Sequence, residues 1–189
     1  MPIAPNLNIA LKEWATVCSA LARGRQIILL RKGGIYESAG EFEVEHRQFL
    51  LIPTYLHQNA EMLKQEPEIK VEKLSAEPKT IHISLAAEIT DIIPMPKRSA
   101  MEALYHEHIW TPQLIDMRFN YRPKNPLYLL LVRVSQLAKP VTIENTPAYA
   151  GCKSWVPLDR PIDSSNAGPV LNDSEFSRKR EGILHQIFG

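Results

Sequence analysis

The spacing of apolar residues changes several times along the chain, and each change predicts an element. In "NIALKEWATVCSALARG", Leu11, Trp14, Cys18 and Leu21 recur three and four apart. That spacing predicts a first helix packed on the sheet through Trp14 and ended by Gly24. Ile27–Leu30 reads as a buried strand entering a hairpin at Lys32-Gly33-Gly34. "EFEVEH" alternates, which predicts a strand Phe42–His46 with Phe42, Val44 and His46 on one face and Glu41, Glu43 and Glu45 in water. Phe49–Ile52 is a further buried strand. Leu56, Ala60 and Leu63 then have helical spacing, with Thr54 as N-cap and Tyr55, His57 and Gln58 in the first turn.

From Glu61 to Lys79, five Glu and four Lys with Pro67 and Pro78 read as a solvated connection, a poor place to look for chemistry. "TIHISLAAEIT" gives the cleanest alternation in the chain, with Ile81, Ile83, Leu85, Ala87 and Ile89 inward. Ser99 and Glu102 have capping-box spacing for a helix through about His108, and Thr111-Pro112 starts another. Leu127–Val134 reads as a buried strand and "CKSWVPL" as the next. "IDSSNAGPVLND" reads as loop, and a terminal helix presents Phe176, Ile183, Leu184 and Ile187 to the core. Strands outnumber helices and do not alternate regularly with them. The expected class is therefore α+β, a mostly antiparallel sheet or small barrel with flanking helices. Residues 1–162 are expected to form one domain, with the loop and helix of 163–189 docking on it.

Composition narrows the function classes. In 189 residues, 44% are hydrophobic, enough for a substantial core, and Lys plus Arg (22) nearly balances Asp plus Glu (21). A formal charge of +1 gives no global field for a polyanion, so any nucleic-acid surface has to be local. Two cysteines, Cys18 and Cys152, supply neither a disulfide framework nor a cysteine-based zinc site. No apolar run approaches the ~20 residues of a membrane span, and "MPIAPNLNIA" lacks the basic start of a signal peptide. A soluble, cytoplasmic protein with no membrane partner is expected.

Taken together, "ALKEWATVCSALARGRQIILLRKGGIYE", "FEVEHRQFLLIPTYLHQ", "YAGCKSWVPL" and "PVLNDSEF" resemble the bacterial domain-of-unknown-function family DUF1802 over nearly the whole chain. That family has no settled activity, so the resemblance implies no reaction. The strand order, and "LYLLLVRVSQLAKPVTI" in particular, is similar at fold level to PUA-like barrels, the pseudouridine-synthase-and-archaeosine-transglycosylase type whose relatives read modified bases. The opening hairpin also looks like the start of a Nudix hydrolase, but the required glutamate-rich helix is missing. Rossmann and Walker glycine patterns are likewise missing.

Candidate chemistry falls in three places. Arg31 and Lys32 at the Gly33-Gly34 turn either solubilise a hairpin tip or, together with backbone donors at Thr54, Tyr55, His57 and Gln58, hold an anion. His46 and His57 are either buried structural histidines or, with Glu45, metal ligands of a phosphoesterase, although Glu45 is expected to face away from His46. "MRFNYRPK" interleaves Arg118, Arg122 and Lys124 with Phe119 and Tyr121, a composition suited to phosphates and stacked bases, or to a loop with inward aromatics and solvated cations. In "YHEHIW", helical geometry separates His106 from His108. Cys152 beside Lys153 is expected to be structural, because neighbours in a strand point to opposite faces. The expectation is a non-catalytic recognition domain for RNA, DNA or a nucleotide-like anion, without cofactor or metal. A metal-dependent phosphoesterase using His46 and His57, or a protein-interaction scaffold, is the alternative.

Overall fold

A computed structural model describes residues 2–32, 37–38, 41–42, 46–56, 58–72, 74–121, 123–149 and 154–189, the two short stretches after residue 32 through their backbone alone. The strands are β1 (Asn6–Trp14), β2 (Ile28–Arg31), β3 (Glu37–Ser38), β4 (Glu41–Phe42), β5 (Gln48–Thr54), β6 (Thr80–Met95), β7 (Leu127–Glu144), β8 (Trp155–Asp163) and β9 (Gly168–Pro169). The helices are α1 (Ala15–Ala22), α2 (Arg98–Ala103), α3 (Pro112–Asn120) and α4 (Asp173–Phe188). The main sheet runs β2-β7-β6-β5-β1-β8, with β9 on β7 and a separate β3-β4 pair. Every neighbour in it is antiparallel except β1 with β5. The class is α+β, as the patterning predicts. Among the described residues the strand path stays open, so of the two alternatives the sheet forms and the closed barrel does not.

Both faces of the sheet are covered, which explains the uninterrupted apolar run of β5. Phe49 and Leu51 join the larger core with the helices, while Leu50 and Ile52 join a second core made by β1, β5, β6, β7 and β8 themselves. A strand alternating between two dry faces has no polar period. β6 contributes to both cores by a different device. Ile81 and Ile83 lie in the second core but Leu85, Ala87 and Ile89 in the first, and the pairing with β7 slips between Ile83 and Leu85. Across that slip β6 advances two residues while β7 advances five, and the odd-numbered side chains of β6 change face. In the first core, α4 docks through Phe176 and Ile183.

Four stretches differ from expectation, the first being the expected loop at 162–173, which carries the end of β8 and β9. Asn6–Trp14 is strand, and the first helix is confined to Ala15–Ala22. Pairing with both β5 and β8 overrides the helical spacing of Leu11 and Trp14. No helix starts at Thr54. β5 continues through that residue because Thr54 pairs with Trp14, and a turn and a short 3-10 segment at Ala60–Met62 follow. The box spacing at Ser99 and Glu102 is not used: α2 begins at Arg98 and ends at Ala103, with a 3-10 turn at Tyr105–Glu107. Gly24 does end α1, at φ 63, its N–H donating to the Leu21 carbonyl at 3.0 Å. Gly33-Gly34, Glu43–Glu45, His57, Arg122, Cys152 and Lys153 lie outside the described residues.

Candidate functional site

β1 and β5 run parallel and end together at Trp14 and Thr54, while β2 ends nearby at Arg31. A cleft of about 710 Å³ opens there. Its wall carries four cations, Lys12, Arg31, Lys32 and Arg118, against two carboxylates, Glu13 and Glu77. Trp14, Tyr55 and Tyr149 add aromatic surface, and Thr54, Thr80, His82, Asn145 and Ser154 add polar groups. These cations come from three separated segments of the chain, so the fold makes locally the positive field that the near-zero net charge denies globally.

Arg31 is only 8% exposed and Glu13 only 7%, and they pair at 2.9 Å. Glu13 also accepts from the Trp14 N–H at 2.8 Å. The Arg31 guanidinium further donates to the carbonyls of Leu30 at 3.0 Å and Lys12 at 3.2 Å. Its Nε is buried without a hydrogen-bond partner among the described residues, and so is the Nε of Arg118 on the same wall. Burial lowers the Arg118 pKa, and Arg31 adds to that lowering while Glu13 opposes it. Glu13 thus pairs directly with Arg31, while Arg118 feels both charges without an ion pair of its own to that carboxylate. Lys32 donates to the Phe119 carbonyl at the last turn of α3, and burial lowers its ammonium from the ordinary lysine value.

The other side of the cleft is built from backbone. Glu77 Oε1 accepts from the N–H groups of Tyr55 at 3.0 Å and Leu56 at 2.9 Å. Thr54 Oγ1 donates to the Glu13 carbonyl at 3.1 Å. Burial first, then Glu72, Cys18 and Glu77, raise the Tyr55 hydroxyl pKa, so its phenol stays neutral. Tyr149 donates from its hydroxyl to Asp159 at 2.9 Å.

Of the residues expected to meet here, the structure brings together Arg31, Lys32, Thr54 and Tyr55, and it adds Arg118. Arg118 comes from the segment expected to form a separate nucleic-acid surface. Tyr121, 51% exposed, and Lys124, exposed in a turn, do not line the cleft. Gln58 is buried below the site. Its Oε1 accepts from the Thr16 N–H and hydroxyl, both at 2.7 Å, and its amide donates to the Glu72 carbonyl at 3.0 Å, a clamp on the start of α1. His46 packs edge-on against Trp155, ring centroids 5.4 Å apart. Among the described residues, no group of three His, Cys, Asp or Glu is placed to hold a metal ion, and no helix is long and apolar enough to cross a membrane.

Sequence reasoning misses Glu13 and Glu77. Glu13 sits on what reads as the wet side of a helix, and only the switch of that segment to strand turns it inward. Glu77 belongs to the connection whose composition reads as solvated.

A crystal structure of a mutant ZmASCH protein from Zymomonas mobilis is similar at 12% identity, covering 95% of this chain and 99% of that chain with a TM-score of 0.44. At that level the likeness bears no functional weight. No curated protein matches the chain. The model of the family described as Domain of unknown function (DUF1802) matches residues 10–182, from within β1 to within α4, and the chain belongs to that family.

Proposed function

We propose that the protein is a recognition domain for a phosphate-bearing ligand, a nucleotide or a single-stranded nucleic acid, and that the cleft at the ends of β1, β2 and β5 is its binding site. One observation carries the reading. Arg31 and Arg118 line one cleft, a single buried carboxylate pairs with Arg31 alone, and each arginine keeps a buried Nε without an acceptor among the described residues. Like charges brought together out of water repel, and unmet guanidinium donors are costly, unless an anion joins them. A phosphate oxygen supplies both the charge and the acceptors, and arginine suits it through its planar fork of donors. Tyr55 and Trp14 offer planes on which a base can stack.

The test is a fluorescence-anisotropy titration of short single-stranded RNA, single-stranded DNA and a nucleotide at low salt. Arg118→Gln removes a cleft cation that anchors no buried carboxylate pair, and Tyr121→Ala removes an aromatic outside the cleft. The reading expects at least tenfold weaker binding for Arg118→Gln and less than twofold change for Tyr121→Ala. Equal effects, or no binding by the unmodified protein, would overturn it.

A further inference from the structure

The N–H groups of Tyr55 and Leu56 are both occupied by one side chain of the protein itself. Successive backbone N–H groups that converge on one oxygen form a concavity suited to anions. Here both donate to a single carboxylate oxygen, Glu77 Oε1, at 3.0 and 2.9 Å. Glu77 comes from the connection before β6, and its position is fixed by the next residues. Asn145 Nδ2 donates to the Pro78 carbonyl at 2.9 Å and the Asn145 N–H to the Lys79 carbonyl at 2.9 Å. Glu77, Tyr55 and Leu56 line the same cleft as Arg31 and Arg118.

We infer that the Tyr55–Leu56 N–H pair is a second phosphate subsite, and that Glu77 holds it until a ligand's second phosphate displaces the carboxylate. This inference rests on the cleft reading above and narrows its ligand class to one carrying two phosphate groups, of which a nucleoside 3′,5′-bisphosphate is a simple example. A one-phosphate ligand uses the guanidinium pair and leaves Glu77 in place. A two-phosphate ligand must expel a carboxylate from two charge-assisted hydrogen bonds, so Glu77 selectively lowers its affinity.

The experiment is calorimetric titration with uridine 5′-monophosphate and uridine 3′,5′-bisphosphate. The proteins compared are the unmodified chain, Glu77→Ala, which vacates the seat, and Glu77→Gln, which leaves a neutral acceptor there. Circular dichroism and thermal midpoints check folding, and Glu77→Gln carries the test should Glu77→Ala fail to fold. The inference expects Glu77→Ala to bind the bisphosphate at least fivefold tighter and the monophosphate within twofold of the unmodified protein, with Glu77→Gln between. Equal tightening of both ligands would reduce Glu77 to a general charge effect and overturn the subsite. Unchanged affinities in the variants would overturn the subsite while leaving the cleft reading intact. Failure of every protein to bind either ligand would overturn the cleft reading itself.

Discussion

Glu13→Gln should destabilise the protein far more than loss of a surface ion pair, and an added anion should restore part of the loss. The carboxylate is 7% exposed and is the counter-charge of a guanidinium 8% exposed, at 2.9 Å. Glutamine keeps an oxygen for the Trp14 N–H but leaves Arg31 beside Arg118 without its paired carboxylate. Removing one partner of a buried pair costs about 3–5 kcal/mol, against about 0–1 kcal/mol for an exposed pair. For a chain of this size about 1 kcal/mol shifts Tm by roughly 2–4 °C, so a fall of about 6–20 °C is expected. Arg31→Met together with Glu13→Gln removes both charges and should cost less than the two single changes summed, by about 0.5–3 kcal/mol. Urea unfolding gives the three free energies. Inorganic pyrophosphate should raise the Tm of Glu13→Gln more than that of the unmodified protein, because the anion replaces the lost carboxylate. A single-variant cost below about 1 kcal/mol, or strict additivity in the double variant, would refute a buried, coupled pair.

His108 is 1% exposed, and burial, aided by Lys64 and Arg25, lowers its pKa to about 3. The imidazole stays neutral in the fold while the unfolded chain takes up a proton near the ordinary value of about 6.5. Stability should thus fall as pH drops through this window, by at most about 5 kcal/mol. His108→Asn, which can keep an acceptor for the Trp110 N–H, should flatten that part of the pH profile, and an unchanged profile in urea unfolding would contradict the assignment. Gly24→Ala forces a side chain into φ 63 and drives its Cβ into Leu171 Cδ2, and chemical denaturation should show a loss of about 1–2 kcal/mol. Asn172→Ala removes the N-cap of α4, whose side chain accepts from the Glu175 N–H at 2.9 Å, and should cost about 1 kcal/mol by the same measurement.

Much of the sheet is legible in the sequence because its pattern is local. β6 alternates, β7 opens on an apolar run, and Thr111-Pro112 starts α3 with a threonine that caps the Leu114 N–H. What misleads is β1. Leu11, Trp14, Cys18 and Leu21 form a helical stripe, yet only the last two are in a helix, because a strand buried on both faces has no period of its own to compete with that spacing. The same error conceals the site. Reading Asn8–Trp14 as the start of a helix leaves Glu13 in water and predicts N–H donors from a helix at Thr54, whereas the donors belong to a turn after a strand and are already met by Glu77. The cations are legible as Arg31, Lys32 and Arg118, but not their convergence. It depends on β2 pairing with β7 far along the chain and on α3 ending beside Lys32.

The salt dependence of oligonucleotide binding by the unmodified protein and by Arg118→Gln tests the central claim most directly. A phosphate held by the cleft releases counterions, so the logarithm of the binding constant should fall linearly with the logarithm of salt concentration, by about 0.7 for each single-strand phosphate neutralised. Four cations, Lys12, Arg31, Lys32 and Arg118, offset by Glu13 and Glu77 give an expected slope of roughly −1 to −2, and Arg118→Gln should reduce it by about 0.7 while weakening binding at low salt. Parallel lines for the two proteins, or no binding by either at low salt, would contradict a phosphate site at the guanidinium pair.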